Sequence, residues 1–100
     1  MYKYSIYIGL NDKDKHKQVI KDKKAINIIQ GIMKSENIEG FTIKHNTGYW
    51  QGELENSKEL VIYDNEQAKK RIVRAIRKIK LLLNQQEVIL EITQPKSEVF

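Results

Sequence analysis

The chain has no cysteine, a single proline, five glycines and one tryptophan in 100 residues. Without cysteine there is no disulfide framework, no Cys-based zinc site and no thiol mechanism, so stability has to come from packing. No apolar run approaches the roughly 18 residues that a membrane span requires. The opening Met-Tyr-Lys-Tyr-Ser-Ile-Tyr-Ile-Gly-Leu lacks a basic leader region and a small-residue cleavage site. Its apolar residues alternate, which reads as a strand and not as a signal peptide. A cytoplasmic location without membrane contact is the expectation. A Gly-rich phosphate loop, a nucleophile elbow and a Ser-His-Asp set are also missing.

What is present suits a globular protein: 40% hydrophobic and 31% charged residues, a mixture that fills a core and solvates a surface. The length is that of one domain, expected over residues 1–94 with a short polar tail at 95–100. The abundance of lysine, isoleucine and asparagine is what AT-rich coding produces, as in a low-GC bacterium, phage or plasmid.

The net charge of +5 is spread unevenly. Residues 1–35 hold eight basic groups against three acids, and 66–84 hold seven against one. Residues 36–65 reverse this with two against six, and 85–100 hold one against three. Basic helices and mildly acidic strands follow, so an anionic partner would meet the helices.

Tyr2, Tyr4, Ile6, Ile8 and Leu10 alternate with Lys3, Ser5, Tyr7 and Gly9, the period of a strand with one buried face. After a polar loop in which Asp12 or Asp14 is a candidate cap, helical spacing runs from about His16 to Glu36 through Val19, Ile26, Ile29 and Met33. Gly40 then supplies permissive backbone. Phe41 to Thr47 alternates as a second strand. A turn-prone stretch from Thr47 to Gly52 and a polar segment to Ser57 lead to a third strand, Glu59 to Tyr63, apolar on both faces. Asp64 or Asn65 is placed to cap a second helix. There Ile72, Ala75, Ile76, Ile79, Leu82 and Leu83 form one stripe, with Lys and Arg opposite. Asn84 ends that helix, and Val88 to Thr93 is a fourth strand.

The order β-α-β-β-α-β implies an α+β, ferredoxin-like sandwich: a four-stranded antiparallel sheet in spatial order 4-1-3-2 with both helices on one face. The helices cover only that face. Tyr7, Val61, Tyr63 and Ile89 then fall on the other, and an apolar patch there marks an interface. A homodimer formed sheet against sheet is the expectation, the alternative being that Val99 and Phe100 fold back as cover.

Several short pieces carry a resemblance. Tyr4 through Tyr7-Ile8-Gly9, Gly40-Phe41-Thr42-Ile43, Gly48-Tyr49-Trp50, Glu55-Asn56-Ser57-Lys58 and Gln86-Glu87-Val88-Ile89 resemble, in order, a family of small bacterial proteins of uncharacterised function with this fold. Many of its members look exported, and this chain differs in lacking a leader. The resemblance implies a fold and no activity.

Three constellations bear on chemistry. His45, Tyr49, Trp50, Glu53, Glu55 and Ser57 cluster between the second and third strands, where an aromatic, a histidine and two carboxylates suit a small-ligand pocket or a general base. The alternative is that Trp50 caps the core and the carboxylates are solvated. Arg71, Arg74, Arg77 and Lys78 form a basic helix face of the kind that binds phosphates, or a simple solvated face. The RNA-recognition module shares this fold order, yet Lys58 to Asp64 lacks its Gly-aromatic strand pattern. Asp12, Asp14 and His16 alternate as metal ligands do, but helix capping accounts for the acids, so no metal or cofactor is assigned.

With no catalytic signature, the leading expectation is a non-catalytic, dimeric binding or regulatory protein acting on a macromolecular partner, of a kind that mobile elements encode. Nucleic-acid binding through the second helix, and a small-ligand sensor or enzyme at the connection between strands 2 and 3, are the alternatives.

Overall fold

The computed structural model describes residues 1–100. Six elements follow one another: β1 (Tyr2–Gly9), α1 (Asp22–Ser35), β2 (Thr42–Trp50), β3 (Glu53–Asp64), α2 (Ala68–Leu82) and β4 (Val88–Thr93). All neighbouring strands are antiparallel and lie in the order β2-β3-β1-β4. This is the expected α+β, ferredoxin-like arrangement, with the spatial order 4-1-3-2 read from the other edge.

Register decides which side chains share a face, because residues opposite one another across a ladder point the same way. Tyr4, Ile6 and Ile8 of β1 stand opposite Ile62, Leu60 and Lys58 of β3. The three β1 residues, Leu60 and Ile62 form one core with Ala25, Ile29, Ile32 and Met33 of α1 and Ala68, Ile72, Ala75 and Ile79 of α2. Both helices therefore pack on that face. The small residues Ala25, Ala68 and Ala75, all fully buried, let the helix backbones come close to the sheet. No helix is long and apolar enough to cross a membrane.

Helix α1 begins at Asp22, six residues later than the periodicity suggests. Residues 11–20 form a compact loop instead, closed by a bridge between Asn11 and Gln18 and by the Asp12 carboxylate, which accepts the N–H groups of Asp14 and Lys15. Asp12 thus caps this loop and not the helix, and Val19 is exposed. At the other end of α1 it is Asn37, at φ 57°, that takes the left-handed conformation. Gly40 does not need it. For α2, Asn65 serves as expected: its Oδ1 accepts the Ala68 N–H at 3.2 Å. Asn84, at φ 48°, closes the helix.

The largest departure is the β2-β3 hairpin. The stretch expected to be loop from Thr47 to Ser57 is paired throughout, up to Trp50 opposite Glu53. Only Gln51 and Gly52 turn, at φ 52° and φ 81°, the two left-handed residues that a tight hairpin loop matching strand twist requires. Pairing of β3 with β1 stops at Ser57, so the hairpin end overhangs the sheet. The molecule measures 43 × 26 × 20 Å. Residues 94–100 have no regular structure. Val99 and Phe100 are exposed, so these two residues do not fold back as cover.

Candidate functional site

The sheet face without helices carries Ser5, Tyr7 and Gly9 of β1, and Glu55, Ser57, Glu59, Val61 and Tyr63 of β3, by the alternation of the register. At the end of this face where the hairpin overhangs lies a cleft of about 240 Å³, near the small end of ligand sites. Its walls are Trp50, Glu53 and Glu55 on the hairpin, Tyr7 and Gly9 on β1, and Ile89 on β4. The loop before α1 contributes Asn11, Asp12, Lys13 and His16, and the connection from α2 to β4 contributes Gln85 and Glu87.

Asn11 fastens the overhanging hairpin to the end of β1. Its backbone N–H donates to Glu55 Oε2 at 2.9 Å and its Nδ2 donates to the Leu54 carbonyl at 3.1 Å. The buried Gln85 donates in turn to the Asn11 carbonyl at 2.9 Å. Asn84 joins the same corner by donating to Asp12 Oδ2 and Asp14 Oδ2 at 3.0 and 2.9 Å. This hydrogen bond, together with the two backbone donors, holds the Asp12 carboxyl below its usual range. The acids of the Asp12–His16 loop are thus engaged in these contacts.

Tyr7 stands in the cleft opposite Glu59 on β3 and Ile89 on β4. Its hydroxyl donates to Glu91 Oε1 at 3.2 Å. Burial, then the nearby Glu59 and Glu91 charges, raise its pKa, so at neutral pH it is a phenol and a donor.

Of the six ligand-site residues read from the sequence, the cleft gathers Tyr49, Trp50, Glu53, Glu55 and Ser57. His45 is placed elsewhere. It stands opposite Lys58 on the helix-side face, close enough to Asp22 to help lower that carboxyl. Trp50 is 39% exposed and is no member of the core cluster. Of the four residues expected at a dimer interface, all lie on the open face. Tyr7 and Ile89 line the cleft, Tyr63 is exposed, and Val61 is already buried within one chain.

Three of the four α2 residues expected to bind phosphates are committed to carboxylates. Arg74 Nε and Lys78 Nζ each lie 2.8 Å from the buried Glu36, and Arg71 reaches Asp64 at 3.4 Å. The Lys78 and Arg74 hydrogen bonds hold the Glu36 carboxyl below its usual range. Arg77 is the one of the four outside an ion pair.

Sequence reasoning missed Gly9, Asn11 and Gln85. The glycine carried a signal, since a glycine inside an alternating strand marks close approach of another group. The other two come from loops that only the fold brings together.

No family model matches the chain, and no curated protein matches it. Solved structures do. A phage SAM lyase in complex with S-methyl-5′-thioadenosine is 24% identical, with 93% of this chain and 80% of that chain covered and a TM-score of 0.62. A phage SAM lyase in the apo state is 21% identical over 92% and 78%, with a TM-score of 0.69. A protein of Arabidopsis thaliana is 14% identical over the whole of both chains, with a TM-score of 0.60. At these identities the likeness is one of fold, and it supports a small α+β fold without supporting the bacterial family suggested by the short motifs. The expectation of a non-catalytic dimeric binding or regulatory protein is corrected: two of these neighbours are an enzyme. That expectation rested on missing catalytic motifs, and a site assembled from an open sheet face and two distant loops leaves none in the sequence.

Proposed function

We propose that the chain is a small-ligand enzyme whose site is the cleft on the open sheet face, and that its substrate is an adenosyl sulfonium compound of which S-adenosylmethionine is the first to test. The observation that carries this is the cleft itself. It places Trp50 and Tyr7 among the carboxylates of Glu53, Glu55 and Glu87, on a fold shared with a phage SAM lyase that holds S-methyl-5′-thioadenosine.

The chemistry suits these groups. An adenine offers a flat face to Trp50, and base-aromatic stacking of this kind contributes about 1–3 kcal/mol. A sulfonium is drawn both to aromatic faces and to carboxylates. When the bond from sulfur to the four-carbon amino acid arm breaks, its electron pair goes to sulfur and the neutral thioether S-methyl-5′-thioadenosine departs. The arm leaves by closing its own carboxylate oxygen on the carbon that sulfur gives up, forming a lactone. This route consumes no water, oxidant or base, so positioning and electrostatics are what the protein has to supply. Tyr7, kept protonated and oriented by Glu91, supplies a neutral hydroxyl in the cleft and no base.

Incubation with S-adenosylmethionine should release S-methyl-5′-thioadenosine, read by chromatography, and titration should change the emission of the lone tryptophan. Release no faster than in buffer, with silent fluorescence, sinks the reading.

A second copy packing on the far end of the same face is supported by Tyr63, 52% exposed. Tyr63 lies six residues along β3 from Ser57, about 20 Å at strand rise, so copies meeting there leave the cleft open. Light scattering at micromolar concentration should report a dimer; a monomer removes this assembly. The phage source of two neighbours supports the mobile-element origin suggested by composition.

A further inference from the structure

Glu55 and Gly9 are built for one another. On the open face, β1 presents Ser5, Tyr7 and then Gly9, where the alternation calls for another side chain. That space is taken: a Cβ at Gly9 would collide with the carboxylate of Glu55, meeting its Cδ and both oxygens. The obstruction is the end of a flexible side chain and no part of the backbone. The Glu55 carboxylate therefore lies flat over the strand, on the floor of the cleft.

Its two oxygens are used unequally. Oε2 accepts the Asn11 backbone N–H at 2.9 Å. Oε1 meets no donor from the protein, and no Lys or Arg pairs with the group, since the chain's ion pairs involve Asp22, Asp64 and Glu36. A carboxylate with one oxygen anchored and the other bare, half-buried beside Trp50 and Tyr7, is a preorganised acceptor for a positive charge. If it served only to cap the Asn11 N–H, a neutral amide of the same shape would do equally well.

We infer that Glu55 is the anionic contact through which the cleft selects a cationic ligand over its neutral analogue, and that Gly9 is the positioning residue that lets this carboxylate reach the floor. The inference rests on the cleft being the ligand site proposed above. It concerns which charge the cleft prefers and which residues set the preference.

The probes are S-adenosylmethionine, which carries the sulfonium charge, and S-methyl-5′-thioadenosine, which does not. Both are titrated into the full chain and into Glu55→Gln, Gly9→Ala and the double variant Gly9→Ala/Glu55→Asp, with thermal unfolding measured on each. The wild-type protein should favour the cation. Glu55→Gln keeps the Asn11 hydrogen bond and should lose about tenfold in affinity for the cation, the scale of one close charge contact near a surface, with the thioether unaffected. Gly9→Ala should show the same selective loss with little change in the unfolding midpoint, because the better strand preference of alanine offsets the lost Asn11 hydrogen bond. The double variant should recover part of it, since aspartate withdraws the carboxylate by one methylene from the new Cβ. If both probes bind and their ratio is the same in wild type, Glu55→Gln and Gly9→Ala, the inference is overturned while the ligand site stands. If the wild-type protein binds neither, the site and the inference fall together.

Discussion

Lys58 and Asp22 form an ion pair at 2.8 Å whose two ends see different surroundings: the lysine side chain is 2% exposed and the aspartate 45%. Lys58 points to the helix side of β3, where its stem fills the edge of the core below α1 and its ammonium emerges only as far as Asp22. The two deletions of this pair are therefore unequal. Lys58→Met keeps the apolar stem and leaves a solvated carboxylate, and it should be neutral or stabilising in urea unfolding. Asp22→Ala strands a buried ammonium and should cost about 3 kcal/mol, the low end for a buried charge without its partner. Equal costs would mean that the lysine reaches water by another path.

Acid should unfold the protein through identifiable groups. Hydrogen bonds from Lys58 and Gln18 lower the Asp22 pKa, and those from Lys78 and Arg74 lower that of Glu36. A carboxyl that is more acidic folded than unfolded stabilises the native state fully above its unfolded pKa, about 4. That stabilisation is lost as pH falls through the folded value. The unfolding midpoint should thus be level near neutrality and drop below about pH 4. Glu36→Gln should start lower at neutral pH and fall less steeply in acid; an acid limb identical to that of the wild-type protein would exclude the triad as its source.

Arg74 and Arg77 separate a structural from a recognition role for the basic helix. Arg74 is tied to Glu36 at the C-terminal end of α1, and Arg77 is in no ion pair. Arg74→Ala should lower the unfolding midpoint measurably, while Arg77→Ala should leave it unchanged. The opposite ranking would contradict the ion-pair assignment.

Trp50→Ala should leave a folded protein. The side chain stands at the end of the hairpin outside the core, so the change in stability should stay below about 1 kcal/mol. Affinity for an adenosyl ligand should fall about tenfold, the scale of one lost stacking contact. An unfolded Trp50→Ala protein would return this residue to a capping role.

Element order, helix faces and the strand order were legible in the sequence because hydrophobic period and one-sided helix coverage determine them. The hairpin was not. Glu53, Glu55, Asn56 and Ser57 are poor strand formers, and a Gln-Gly turn lacks the asparagine or aspartate that usually announces such a loop. They pair because β2 continues alongside, which is a tertiary fact. The cleft shared this fate: Trp50, Glu53, Glu55 and Ser57 were found as neighbours in sequence, His45 was misplaced because one residue of alternation sends it to the helix side, and Asn11 and Gln85 arrive from opposite ends of the chain. The start of α1 was misread because Val19 continues the helical spacing while its segment is closed into a loop by Asp12.

One wall of the cleft is a two-stranded arm that overhangs the sheet beyond Ser57 and is moored to the rest of the molecule by a few hydrogen bonds with Leu10, Asn11 and Gln18. Its amides should exchange with deuterium well before those of residues 58–62, so the mouth can breathe while the interior stays shut. Replacing the Asn11 side chain, whose amide holds the Leu54 carbonyl, would then alter how fast a guest enters and escapes.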